Sequence, residues 1–420
     1  MTQTAPSRSR LPAVLRFREF RLLVSGQAVS RIGNGIYEAT LGLMVFSAGS
    51  AMTMSVVLIA FIAPQLLLTV KAGVLSDQID RRRLLITADL LAATMAGIVA
   101  LIAGTGHLAA AALVVLSLGI GTAAAIFNPA YGPLLSHTVP TDQLAQANGL
   151  DAAVTNGANL AAPALGGWLY AAGGAAWALG ANSLSFLTAA ACSALLRIPT
   201  ATQSSPIPDD SAGTIDPGAA AAWRYLRSSR WLPPMLILAL VMNLLVLGPF
   251  FVMLPWRVTS QHLPTITLGL AVSIQAGAAL ILSLLTSRRP PTRPGRRFAA
   301  MTLAFPVALL TLLLCPGSVG VLVAAALVGA GMAAGVMENL MLQSWVPDQL
   351  RGRVYAFDVL VSLCAIPVGY LLAGLAIEAG AAWTLGTAGA LACVAAATLA
   401  LTTPLARHPL TQATAVADTA

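Results

Sequence analysis

Charge is what this sequence has least of. Only 9% of its 420 residues are Asp, Glu, Lys or Arg, against about a quarter in soluble globular chains. So little charge cannot clothe a water-facing surface, which excludes a single soluble domain. Lysine is almost missing: Lys71 stands beside 22 arginines. The net charge of +8 could suggest a nucleic-acid partner, but the basic residues sit between apolar runs, as charges flanking membrane spans do. Histidine and cysteine are equally scarce, at four each. His107, His137, His262 and His408 are scattered over span ends and loops. No Ser/His/Asp grouping, metal-ligand spacing or phosphate-cradling Gly–Lys loop accompanies them. That speaks against an enzyme, a bound metal, a cofactor and direct use of ATP. Cys192, Cys315, Cys364 and Cys393 show no paired loop spacing and read as small packing residues rather than a disulfide framework.

What fills the chain instead is apolar sequence, 57% of it, in long recurring runs. A bilayer core needs roughly 20 apolar residues per helical span. The runs predict twelve spans, at 22–47, 53–73, 84–104, 108–135, 146–171 and 174–196, then 234–255, 266–286, 298–315, 319–343, 354–378 and 381–403. The Arg-rich start is followed by an apolar stretch too long for a cleavable signal peptide, so the first span is expected to serve as its own insertion signal. With both termini placed in the cytoplasm, 20 basic residues fall inside and only Arg257 outside. That is a strong positive-inside bias.

The main break in composition is 198–233. Its first part is rich in Pro, Ser and Asp and reads as a flexible linker. Its second part interleaves Trp223, Tyr225 and Trp231 with three Arg. It predicts a short helix in the headgroup region, rings toward lipid and guanidinium groups toward phosphate, or else an ordinary helix start with interfacial anchors. VPTDQL at 139–144 and VPDQL at 346–350 are separated by half the chain. The expected organisation is an N-terminal six-helix bundle (1–197), a cytoplasmic linker with an interfacial helix (198–233), a C-terminal six-helix bundle (234–405) and a cytoplasmic tail (406–420).

Two stretches make the reading specific. Residues 73–83, GVLSDQIDRRR, resemble the signature loop of the major facilitator superfamily, with Asp80 where that pattern has glycine. The resemblance implies a cytoplasmic gate. Gly73 would permit close helix contact, Asp77 would face the positive end of a neighbouring helix, and Arg81, followed by Arg82, would pair with that carboxylate. Residues 157–167, GANLAAPALGG, are similar to the superfamily's exporter motif, with Ala162 replacing the glycine before the proline. There Gly157, Pro163, Gly166 and Gly167 would give a kinked, closely packed helix. The stretches after the fourth and tenth spans are similar to those of bacterial drug, siderophore and macrolide exporters. Together these imply an all-α membrane protein of two pseudo-symmetric six-helix bundles.

Ionisable groups inside a span are costly and are functional candidates by default. Glu38 falls near the middle of the first span and is the leading candidate for proton coupling or a cationic substrate. Arg31 lies about two turns earlier on a similar face. Glu338, Asn339 and Gln343 give the tenth span a polar stripe. Asp358 reads as a helix-start carboxylate and Asp89 as interfacial. Asn34, Gln65, Asn128, Asn156, Asn243 and Gln275 are uncharged cavity candidates, each of which could equally bond helix to helix.

The expectation is a monomeric secondary transporter in a bacterial-type cytoplasmic (inner) membrane, multi-pass, with both termini inside. It would work by alternating access, driven by a proton gradient without cofactor, and export amphipathic or hydrophobic small molecules such as a drug, siderophore or secondary metabolite. An importer of the same fold, or a non-transporting receptor or assembly protein, remains open.

Overall fold

A computed structural model describes residues 13–197, 217–288 and 291–408, with the side chains of a few further residues, 72–77 among them, left undescribed. The first part of the linker thus lies outside the described residues. Among those described there is helix and no strand. A lipid-facing backbone has to satisfy its own hydrogen bonds, and a helix does so within one segment.

The first half holds α1 (Arg18–Ala48), α2 (Ala51–Gln78), α3 (Arg81–Gly104), α4 (Ala110–Ser136) and α5 (Leu144–Ala194). After them come α6 (Pro217–Ser228), α7 (Leu232–Met242), α8 (Gly248–Ser260), α9 (Ile266–Ser287), α10 (Pro294–Thr302) and α11 (Ala304–Leu314). The chain ends with α12 (Gly317–Met332), α13 (Ala334–Trp345), α14 (Asp348–Glu378), α15 (Ala382–Thr402) and the short α16 (Pro404–Arg407).

Ten helical stretches among the described residues are long and apolar enough to cross a membrane. Two local features separate this figure from the expected twelve. Helix α5 runs for 51 residues and joins two expected spans, broken at Gly173 and at Gly174 with φ 65° and ψ −159°. That backbone region is open essentially to glycine alone. Helix α1 is long enough at 31 residues, but its polar residues lower its apolarity below that of a typical span. Three other spans are each built from two consecutive helices, α7–α8, α10–α11 and α12–α13. A π-helical segment, Asn243–Leu247, joins α7 to α8 and holds the Asn243 side chain buried.

The chain forms two compact units, one of Met1–Thr40 with Ala60–Ser205 and one of Leu41–Ile59 with Pro206–Ala420. The first is called the N unit and the second the C unit. In the N unit, α3 packs against α4 and α5, and Ser183 Oγ donates to the Ala93 carbonyl at 2.8 Å. Close helix contact is bought with small residues. A Cβ on Gly166 would meet Ile36 Cα at 2.9 Å, and one on Gly35 would meet the Ala162 side chain at 2.7 Å. The backbone stays helical through Pro163, and the residues departing from helical geometry are Gly173 and Gly174. Gly166 therefore packs α5 on α1, whereas Gly157 faces open space and Gly167 is buried.

In the C unit, the start of α2 and the turn before it pack with α14. Ser55 Oγ donates to the Tyr370 carbonyl, and Glu378 accepts from Ser50 Oγ and the Met52 N–H. Helix α6 differs from the lipid-lying expectation in where its rings go. Tyr225 Oη donates to the Trp345 carbonyl at 2.9 Å, and Trp231, buried, sits edge-on to Trp345. Trp223 remains exposed, with Arg227 over its ring. Leu67, Leu101, Val319 and Leu391 are each at least 70% exposed, which suits a surface facing lipid.

Candidate functional site

Four residues of α1, Gln27, Arg31, Asn34 and Glu38, recur at the spacing that brings side chains to one helix face. Three of them, Gln27, Arg31 and Asn34, line a cavity of about 210 Å³ inside the N unit, together with Ser30. Helix α3 adds Asp89, α4 adds Asn128, Phe127 and Tyr131, and the second part of α5 adds Phe186. Glu38 lies one turn beyond Asn34 on the same face and is exposed. The next residue back, Tyr37, is buried and exchanges a 2.7 Å hydrogen bond with Ser117. That bond fixes the rotation of α1 that presents Glu38.

At one side of the cavity is a satisfied ion pair. Arg31 donates to both carboxylate oxygens of Asp151, at 2.8 and 3.3 Å. Tyr131 Oη donates to Asp151 Oδ1 at 2.6 Å, and the Arg31 guanidinium lies 5.4 Å from the centroid of the Tyr131 ring. A two-toothed Arg–carboxylate pair has fixed geometry as well as charge balance, so Arg31 is held in place and its charge is cancelled. Neither Asp151 nor Tyr131 was anticipated from the sequence. The available signal was an acidic residue just inside a long apolar helix.

Asp89 is a correction to the interfacial reading. It lies eight residues into α3, about 12 Å along the helix axis, and is 2% exposed. Its Oδ2 and the Oδ1 of Asn34 have no hydrogen-bond partner.

The C unit gathers a second polar site. Glu338 on α13 and Asp358 on α14 are neighbouring acids, and Glu338 Oε1 and Asp358 Oδ1 have no hydrogen-bond partner. Here too the structure revises the sequence reading. Helix α14 begins at Asp348, so Asp358 is ten residues in and buried, beyond the first turn where the helix dipole favours a carboxylate. Two facing carboxyls can share one proton, the protonated one donating to the other. Asn339 is exposed and its amide donates to the Gly335 carbonyl of its own helix.

Other candidates stand apart from both sites. Gln65 donates to the Phe61 carbonyl one turn back and does not line the N-unit cavity. Gln275 is buried against Met332, and Asn156 is exposed. The Gly73 and Asp77 side positions lie outside the described side chains. Arg82 donates to the carbonyls of Ser193 and Ala194, so it caps the C-terminus of α5, where a cation meets the negative end of the dipole. Asp80, which departs from the signature pattern, caps α3 by accepting from the Arg82 N–H at 2.9 Å. Among the described residues, no three His, Cys, Asp or Glu side chains gather as a metal site.

Known proteins agree with this architecture. Multidrug efflux pump Tap of Mycolicibacterium fortuitum is 29% identical over 382 residues, covering 86% of this chain and 89% of that protein. Macrolide efflux protein A of Streptococcus pyogenes is 24% identical over 380 residues, covering 85% and 89% respectively. Among solved structures, a bacterial homologue of the iron transporter ferroportin in an inward-facing state superimposes with a TM-score of 0.69. It has 16% identity and covers 92% of this chain and 99% of that one. A mutant form of the nucleoside transporter NupG superimposes with a TM-score of 0.70 at 12% identity, covering 91% and 99%. A family model described as Major Facilitator Superfamily matches residues 23–343. The protein is a multi-pass membrane transporter and belongs to the Major Facilitator Superfamily.

Proposed function

We propose that this transporter exports amphipathic or hydrophobic small molecules across a bacterial cytoplasmic membrane by alternating access, driven by the proton gradient. The observation that carries the reading is a polar stripe on α1, three of whose residues line a cavity with aromatic walls, in a chain whose relatives along nearly its whole length are efflux pumps. An apolar cavity with a few convergent polar groups suits an amphipathic ligand. The arginine distribution supports cytoplasmic termini. The chain acts as a monomer, since each six-helix half can bring its own polar residues to a midplane site.

Proton coupling falls to acidic side chains outside the Arg31–Asp151 ion pair. Glu38 is exposed on the stripe, and Glu338 with Asp358 forms an acid pair able to bind and release a proton. The reading is tested in cells lacking their own exporters, by following efflux of a fluorescent amphiphile with and without an uncoupler. Expression should lower accumulation several-fold, and the uncoupler should erase the difference. Uncoupler-resistant efflux would remove the proton gradient as the driving force. Inward accumulation would replace export with import.

A further inference from the structure

Two buried acceptors without donors, Asp89 Oδ2 and Asn34 Oδ1, belong to residues lining the N-unit cavity. Its two charged walls are Arg31 and Asp89, but Arg31 is neutralised by Asp151, with 2.8 and 3.3 Å contacts. Asp89 is therefore left as an uncompensated carboxylate whenever it is ionised. Its Oδ2 has no partner, and neither does Asn34 Oδ1, on a different helix at the same cavity. A buried acceptor without a donor costs about 1–3 kcal/mol, and more when charged. Two such acceptors around one space call for a ligand that brings a positive charge and hydrogen-bond donors together.

We infer that this cavity is a subsite for the protonated primary or secondary amine of a transported molecule, with Asp89 and Asn34 accepting its N–H groups. The aromatic walls fit the cation too. Phe127, Tyr131 and Phe186 border the same space, and aromatic faces attract ammonium groups. The volume sets how much of a substrate enters. At about 210 Å³ the cavity falls short of the roughly 300 Å³ at which drug-sized pockets begin, so it takes an amine head while the apolar remainder lies outside it. Glu38, further along the same face of α1, adds a second acidic group on the side away from Arg31. The inference deepens the export reading and rests on it for its physiological meaning, but binding is measured without transport.

The test is calorimetric titration of the purified full-length protein in detergent with three aromatic probes that differ only in the head group: 2-(naphthyl)ethylamine, its N,N,N-trimethyl analogue and the corresponding neutral alcohol. The primary amine should bind at least tenfold more tightly than the trimethyl compound, which has the charge but no N–H. Asp89→Asn should remove that preference and leave the alcohol unchanged, and Asn34→Leu should reduce it several-fold. Equal binding of the amine and trimethyl compounds to the wild-type protein would overturn the proposal. So would an Asp89→Asn protein that still prefers the amine. Should Asp89→Asn fail to fold, the wild-type comparison decides alone. Amine-selective binding without any efflux in cells would leave the subsite standing and remove the export reading.

Discussion

Each unit holds one close pair of ionisable groups, and the two pairs are built in opposite ways. In the N unit, Arg31 and Asp151 cancel each other in a fixed two-toothed pair braced by Tyr131. In the C unit, two acids, Glu338 and Asp358, face one another. A cancelled pair has nothing left to exchange and serves geometry: it locks α1 to α5 and aims the α1 stripe. Two facing acids would differ in energy according to whether they hold one proton or none, which is what the proposed proton coupling requires. Under the proposed function, the contrast sets a fixed brace in one unit beside a pair of acids in the other.

The strongest way to break the comparison is to make the N unit resemble the C unit by uncancelling its charge. Asp151→Asn leaves the Arg31 cation without its partner, and removing one member of a buried pair costs about 3 kcal/mol. Thermal unfolding in detergent should show a large drop. Replacing Arg31 with Met in the same protein should recover most of it, because the stranded charge is then gone. An Asp151→Asn protein as stable as wild type would mean the pair is not structural.

Next in size is helix packing, which the two units share. A Cβ on Gly166 would approach Ile36 backbone atoms at 2.9 Å, and in the C unit one on Gly369 would approach the Leu244 carbonyl oxygen at 2.6 Å. Valine at either position should destabilise by about 2 kcal/mol, read from the same melts. Gly157, with nothing nearby, should accept alanine with little change, which separates contact from motif membership.

Both units also cap a helix C-terminus with arginine: Arg82 at the end of α5 and Arg257 on the Leu313 carbonyl at the end of α11. Changing either to Gln should cost about 1 kcal/mol. If Arg82→Gln abolishes transport with stability unchanged, its role is gating rather than capping.

The smallest effect concerns Glu19, which precedes the apolar run of α1. Partial burial pushes its carboxyl up, but the Arg197 backbone N–H and the Arg18 guanidinium together hold it below the usual carboxylate value. A lowered folded-state value contributes stability above the unfolded-state value, and that contribution disappears as pH falls through the folded one. The stability gap between wild type and Glu19→Gln should therefore be present at pH 7 and close below about pH 4. A gap that persists under acid would assign the effect to packing.

Sequence alone was enough to read the membrane class, because scarce charge and long apolar runs have few physical solutions. It also picked out Arg31, Asn34 and Asn128, since a polar group inside a span is conspicuous whatever it touches. Partners were harder to see. Asp151 is 120 positions from Arg31, and nothing local marks one as the other's counter-ion. Asp89 and Asp358 were misplaced because distance from a helix start was judged from the apolar run, and the real helices begin earlier. Helix α3 starts with three arginines and α14 with the stretch that follows Pro347. Nothing in the sequence singled out Gly173 and Gly174, where the backbone of α5 departs from helical geometry and Gly174 takes a glycine-only conformation.

The division of labour between the units is tested most directly in liposomes made acid inside, containing either the wild-type protein or Glu338→Gln. Entry of a fluorescent amphiphile that does not itself titrate is followed with the pH gradient, and then by counterflow without one. The account predicts that Glu338→Gln loses gradient-driven entry at least tenfold, about 1.4 kcal/mol of coupling, and keeps counterflow within twofold of wild type. Undiminished gradient-driven entry, or loss of counterflow as well, would contradict it.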